Sequence, residues 1–316
     1  RALGRNASFI CTWAIILGYI SVVAFEAVAL TTVAEYLFPN YVRGYMYTVA
    51  GYDVHLTWVL VGVVSSIIIT LVNYIGVKPA AFLQSILTMC IIAAGVIFLG
   101  GSAFNGSVAN IEIGFADGVK GVFTVLIMTP FLFVGFDVIP QVAEEINMPF
   151  KKIGRLLIIS VIMAIVWYMV IIFGVSLAMP ESEMAQSTLV TADAMKAVYL
   201  NSDVAAKLMV LAGIAGILTS WNSFYVGGSR AIYAMAQAKM LPRFLAKLHP
   251  KYKTPVNAII LIGILSTLSP LLGRRMLNWL MNAGGLTIVV AYLTVSISFM
   301  KLRFTQPDMP RPYKVK

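Results

Sequence analysis

The chain has 316 residues, of which 60% are hydrophobic and only 11% charged, and its mean hydropathy is +0.89. An ordinary soluble domain is about one quarter charged, so a water-soluble globule is excluded, as are disordered and low-complexity chains, which need much charge and few large apolar residues. The 23 Lys and Arg against 13 Asp and Glu give a formal charge of +10, but the basic residues lie between long apolar runs and so point to an anionic lipid leaflet, not to nucleic acid.

A hydrocarbon core of about 30 Å takes roughly 20 apolar residues in a helix. On that criterion the chain reads as an all-α polytopic membrane protein with eight transmembrane helices, over 9–37, 56–75, 79–98, 119–146, 153–179, 205–238, 255–272 and 284–304. A β-barrel is excluded, because these runs are too long and do not alternate. The chain opens on Arg1, with neither Met nor a signal-peptide pattern, as expected of a fragment.

The first span carries Cys11 and Glu26, and Cys90 falls in the third. Both cysteines are expected to be inert core residues, since neither has a CxxC or His neighbour. Glu26 is a carboxylate in an apolar run, which in a membrane is either a functional group or a polar contact between helices. The two histidines, His55 and His249, sit at loop edges, so no His-based catalytic or metal cluster is expected.

Within the fourth span Pro130, Gly135 and Pro140 are spaced five apart. Each proline removes a backbone donor and glycine weakens a helix, so a break near Gly135 is expected. Broken backbone at membrane depth is tolerated where it is buried in protein or lines a watery cavity, the way discontinuous helices make substrate sites; a plain proline kink is the alternative. Asp137 beside the break has either a gating or proton-linked role or a capping role. At the far end of the span, Glu144 and Glu145 stand where the helix dipole disfavours carboxylates. Arg155 and Arg230 are the candidates to offset them as an inner-gate network; alternatively Arg230 snorkels and the glutamates are solvated. The loop 180–203 has room for a short amphipathic helix with Leu189, Met195, Val198 and Tyr199 on one side, or for a solvated cap.

The N-terminus, Lys78, 151–155, 239–253 and the tail from Lys301 together hold sixteen Lys and Arg, against six on the alternate ends. By the positive-inside rule the first set is cytoplasmic, so both chain ends are inside.

The stretch Phe133 to Pro149 (FVGFDVIPQVAEEINMP) resembles the sixth-helix signature of amino acid permeases of the amino acid, polyamine and organocation superfamily. Gly228 to Ala236 (GSRAIYAMA) with His249 to Asn257 (HPKYKTPVN) resembles the eighth helix and the loop into the ninth, and Pro307 to Lys314 (PDMPRPYK) resembles the stretch after the tenth. The resemblance implies that the eight spans are helices 3 to 10 of the inverted-repeat (5+5) transporter fold. Residues 1–316 would then be one transmembrane domain lacking the family's first two and last two helices. It further implies that Phe131 closes over substrate, that the Val134 and Gly135 carbonyls receive its amino group, and that Asp137 is the acid many members carry there. Thr219 and Ser220 fall where related transporters place hydroxyls near an ion, and Tyr292 is a further substrate-site candidate.

Two departures stand out. No lysine occurs between Lys78 and Lys120, where some members have one in place of sodium, and Gly18 in Trp13 to Tyr19 (WAIILGY) replaces the glutamate of cationic carriers. The expected function is therefore secondary active transport of a small neutral amino acid across the plasma (inner) membrane by alternating access. The proton and sodium are the coupling candidates, and no cofactor is expected. An amino acid sensor that binds without transport and a polyamine or organic amine transporter are the alternatives. An intramembrane enzyme is disfavoured, since Asp137 and Glu26 have no His or Ser-His companion, and a channel lacks its continuous polar stripe.

Overall fold

The computed structural model describes residues 2–76, 80–111, 118–141 and 149–311. Its long helices are α1 (Arg5–Leu37), α2 (Leu56–Ile75), α3 (Ala80–Asn105), α4 (Gly118–Phe133) with its short continuation α5 (Val138–Gln141), and α6 (Phe150–Ala178). After two short outer helices, α7 (Glu181–Met184) and α8 (Val190–Val198), come α9 (Asp203–Gln237), α10 (Val256–Leu268) and α11 (Met276–Thr305). Among the described residues, seven helices are long and apolar enough to cross a membrane, α4 and α5 counting as one. The stretch expected as the eighth, 255–272, is the shorter apolar α10 continued by a 3-10 turn, Ser269–Leu272. Two ends differ from expectation: α3 runs on to Asn105, and α11 begins at Met276.

Helix α1 is the axis of the fold and packs chiefly on α11 and α9. Gly18 permits the first contact, since a Cβ there would lie 2.7 Å from Ile288 Cγ1. Around it Tyr19, Trp221, Tyr225, Ile232, Ile262 and Ile288 form a core with almost no exposed surface. In lipid there is little hydrophobic drive between helices, so small residues and interhelical hydrogen bonds carry much of the specificity. Such bonds are present: Asn73 Nδ2 donates to Asn222 Oδ1 (3.0 Å), Gln84 Nε2 to Ser223 Oγ (2.9 Å) and Ser269 Oγ to the Ala24 carbonyl (2.9 Å), while Thr70 and Tyr225 share a 2.7 Å contact. By contrast α6 shows an outward apolar face of Ile162, Met163, Val166, Met169 and Phe173, suited to lipid.

The expected amphipathic segment is α8. Met195 and Val198 are buried against Phe98, Val175 and Met179, so it is a packed lid and not a solvated cap. Asp193 accepts hydrogen bonds from the Ser187 hydroxyl and, at 2.5 Å, from Tyr36 on α1. Lys196 pairs with Asp203 at 2.6 Å, and that hydrogen bond and charge raise the lysine above its ordinary range.

One element was absent from the sequence reading. An antiparallel hairpin, β1 (Tyr45–Val49) and β2 (Tyr52–His55), follows α1. Ala50 and Gly51 form its two-residue turn with φ of 47° and 85°, the left-handed pair that a tight hairpin requires. Tyr47 staples it to the bundle by donating to the Leu271 carbonyl at 2.5 Å. The expectation for Cys90 is also corrected: it lies on an exposed face of α3, outside the core, and Cys11 is half-buried.

Candidate functional site

The apolar run of α4 stops at Phe133 and resumes at Val138, with a turn over 134–137 between them. The break expected from Pro130, Gly135 and Pro140 is therefore present. Gly135 sits at φ +133°, a region essentially closed to residues with a side chain. A helix end leaves its last carbonyls without partners, and at this depth water cannot be assumed to serve them. The Leu132 carbonyl accepts the Tyr168 hydroxyl of α6 at 3.0 Å. The turn itself is closed by the Val138 and Ile139 amides, which donate to the carbonyls of Gly135 (3.1 Å) and Phe136 (3.2 Å).

Asp137 holds the break from within. Its Oδ1 accepts the Gly135 amide at 2.8 Å and its Oδ2 accepts the Tyr19 hydroxyl of α1 at 2.7 Å. It is thus a cap, but one that caps backward onto Gly135 and not onto the first amides of α5. The Tyr19 ring lies tilted on Phe224 of α9 (5.4 Å), whose Cζ is 3.5 Å from where a Gly135 Cβ would stand. From α11, Tyr292 tilts over Phe136 at 5.6 Å and interacts electrostatically with Asp137. Its hydroxyl is buried facing Asp137, and among the described residues the indole nitrogen of Trp221 in the same cluster is buried without a hydrogen-bond partner. Such an orphan costs about 1–3 kcal/mol, so the indole is a place where an arriving acceptor stabilises the protein.

Phe131, one turn before the break, is buried edge-on against Phe25 at 5.4 Å. It also fills the space beside Gly284, where a Cβ would come within 2.8 Å of its ring. Asp137 and Tyr292 thus meet at the turn, beside Tyr19 of α1, while Phe131 packs further along α1 and α11, against Phe25 and Gly284. Glu26 and Ser220 form a second polar point: the Ser220 hydroxyl donates to Glu26 Oε1, and Glu26 is only 7% exposed. Thr219 does not join them; its hydroxyl turns back to the Gly216 carbonyl at 2.8 Å. Arg230 is half-buried on α9 and donates to the Val226 carbonyl at 3.3 Å. Glu144 and Glu145 lie outside the described residues. Among the described residues no group of three His, Cys, Asp or Glu is placed to hold a metal ion.

The residues that sequence reading missed are Tyr19, Phe224 and Tyr168. A single aromatic in an apolar helix has no periodic signature, and Tyr19 entered only as the last letter of a motif read for Gly18.

Long apolar helices around a helix broken at a capped, partly polar turn define an integral, multi-pass membrane protein. The amino acid permease family model matches residues 1–315. The chain belongs to that family, which consists of transporters and not of enzymes. It is 26% identical over 335 residues to the branched-chain amino acid permease BcaP of Bacillus subtilis (strain 168), covering 99% of this chain and 67% of that protein. To the methylthioribose transporter of the same organism it is 25% identical over 328 residues, covering 99% and 68%. To the chloroplastic cationic amino acid transporter 7 of Arabidopsis thaliana it is 29% identical over 202 residues, covering 61% and 33%.

Proposed function

We propose that the chain is the transmembrane body of a secondary active transporter for a small neutral amino acid, working by alternating access in the plasma membrane. The observation that carries this reading is the turn at 134–137, where the broken helix presents backbone to the core beside Phe131 and Tyr292. An amino group is received there by the Val134 and Gly135 carbonyls at the negative end of α4, and Phe131 closes over it. The similarity to a branched-chain amino acid permease supports a neutral substrate. So does Gly18: a glutamate at that position, as in cationic carriers, would run into Ile288.

Eight crossings with both ends cytoplasmic complete the reading, the spans corresponding to helices 3 to 10 of the inverted-repeat fold. For α10, 13 residues and four more in a 3-10 turn reach about 27 Å, close to the hydrocarbon thickness. Arg230 with Glu144 and Glu145 forms an inner gate. The test is counterflow of radiolabelled L-leucine in proteoliposomes of the full-length protein, challenged with L-arginine, putrescine and methylthioribose. Leucine exchange that the two cations leave intact is expected. Exchange of a cation in its place, or leucine binding without flux, would overturn the reading.

A further inference from the structure

The buried Glu26 stands apart from the turn at 134–137 and, among the described residues, has no cation beside it. From α9 it receives the Ser220 hydroxyl, and from α6 the nearby titratable group is Tyr168, whose phenol is within electrostatic reach. Among the described residues, α2, α10 and α11, which also pack on α1, bring no Lys, Arg or His to it. An ionised carboxylate at membrane depth, without a counter-charge, is among the costliest groups a protein can hold; the neutral acid with a hydroxyl partner is not.

The surroundings of Glu26 reach the half-helix that ends at the break. Its neighbour Phe25 meets Phe131 edge-on at 5.4 Å, so the side chain at the end of α4 lies over the α1 turn that carries Glu26. Tyr168, within reach of its charge, donates at 3.0 Å to the Leu132 carbonyl of the same half-helix. The half-helix before the break is thus tied to two residues around Glu26, Phe25 and Tyr168.

We propose that Glu26, with Ser220 as its fixed hydrogen-bond donor, is the proton carrier that couples this transporter to a proton gradient. This rests on the transport reading above. While the site is open to one side, a carboxylate oxygen takes a proton from hydronium and releases water. The neutral acid crosses the sealed intermediate, and on the other side its O–H bond breaks to water, restoring the carboxylate. One proton moves per cycle, and no other bond is made or broken.

The experiment uses the full-length protein in proteoliposomes with L-leucine as probe. With one proton per substrate, a pH difference of one unit sustains about tenfold accumulation. Wild type is expected to approach that value with an inside-alkaline gradient, and no accumulation is expected from a sodium gradient alone. Glu26→Gln, a permanent copy of the neutral acid, is expected to lose accumulation entirely while its counterflow no longer changes between about pH 6 and about pH 8. Glu26→Asp keeps a titratable group and is expected to restore accumulation, which separates coupling from folding. Proton-driven accumulation in Glu26→Gln, accumulation by sodium alone in wild type, or counterflow in wild type that a pH gradient does not bias would overturn the proton site while leaving transport intact. A wild type without counterflow would instead overturn the transport reading, and this proposal with it.

Discussion

Replacing Gly135 by alanine separates two explanations of the break. If packing decides, alanine is harmless, because the nearest atom to a Cβ at this position, Phe224 Cζ, lies at 3.5 Å, an ordinary van der Waals distance. If backbone conformation decides, alanine is nearly as damaging as valine, because φ of +133° is strained for either. The backbone cost is about 1–3 kcal/mol. The chain can escape it only by rotating the turn, which gives up the 2.8 Å bond from the Gly135 amide to Asp137, worth about 1.5–3 kcal/mol for a charged acceptor. Since the two routes are alternatives, a net loss of about 1–3 kcal/mol is expected, or about 5- to 150-fold in leucine affinity where it falls on binding. Gly135→Ala and Gly135→Val in the full-length protein, extracted folded and assayed by leucine binding and by thermal unfolding in detergent, should therefore fall together. Gly284→Ala is the converse case, since it relieves the cost of a helical glycine but drives a methyl within 2.8 Å of the Phe131 ring. It should impair transport while the helix holds. Wild-type affinity in Gly135→Ala with loss only in Gly135→Val would refute the backbone argument and leave a size limit against Phe224.

Three further outcomes are expected. Cysteine labelling from outside intact cells should modify substitutions at Asn105 or Ser187 and spare Lys152 or Lys251; the opposite pattern reverses the orientation drawn from the basic residues. Tyr19→Phe removes the 2.7 Å donor to Asp137 Oδ2, and Asp137→Asn removes the acceptor's charge. The pair should be non-additive by about 0.5–3 kcal/mol in unfolding stability, and additive effects would show that the bond carries no energy. A double-mutant cycle between Arg230 and Glu145 should give coupling of similar size, about 0.5–3 kcal/mol, and strict additivity would remove the inner-gate network.

The long helices were legible because lipid imposes a length and a composition on each of them, and 56–75 was placed to the residue. Their ends were less so: nothing in an apolar run says where a helix leaves the bilayer, and α11 extends eight residues beyond the expected start at 284. The hairpin escaped because its signal is a two-residue turn whose first position is alanine, an unusual choice for φ of 47°. At the site, Pro130, Gly135 and Asp137 could be read from the chain, since each breaks a local rule for a membrane helix. Tyr19 could not, because its role depends on a partner 118 residues away. Thr219 and Ser220 show the same limit from the other side: adjacent hydroxyls point about 100° apart on a helix, and only Ser220 reaches Glu26.

If the turn at 134–137 receives the substrate as proposed, Asp137 also bears on which amino acids it accepts. Both of its oxygens are already engaged, one by the Gly135 amide and one by the Tyr19 hydroxyl. An ammonium group arriving at the break therefore meets backbone carbonyls and the negative end of α4 before it meets a free carboxylate. That field suffices for the single amino group of a neutral amino acid. A cationic side chain needs a second counter-charge at hydrogen-bonding distance, and Asp137 can supply one only by releasing Tyr19 and loosening the turn that forms the site. The other place for an acid, position 18, is closed by Ile288, 2.7 Å from any Cβ there. On the proposed reading, exclusion of cations rests on an acid that is committed and a glycine that is packed shut, and Tyr19→Phe, which frees one oxygen of Asp137, is the single change expected to admit L-arginine as a competitor of leucine exchange.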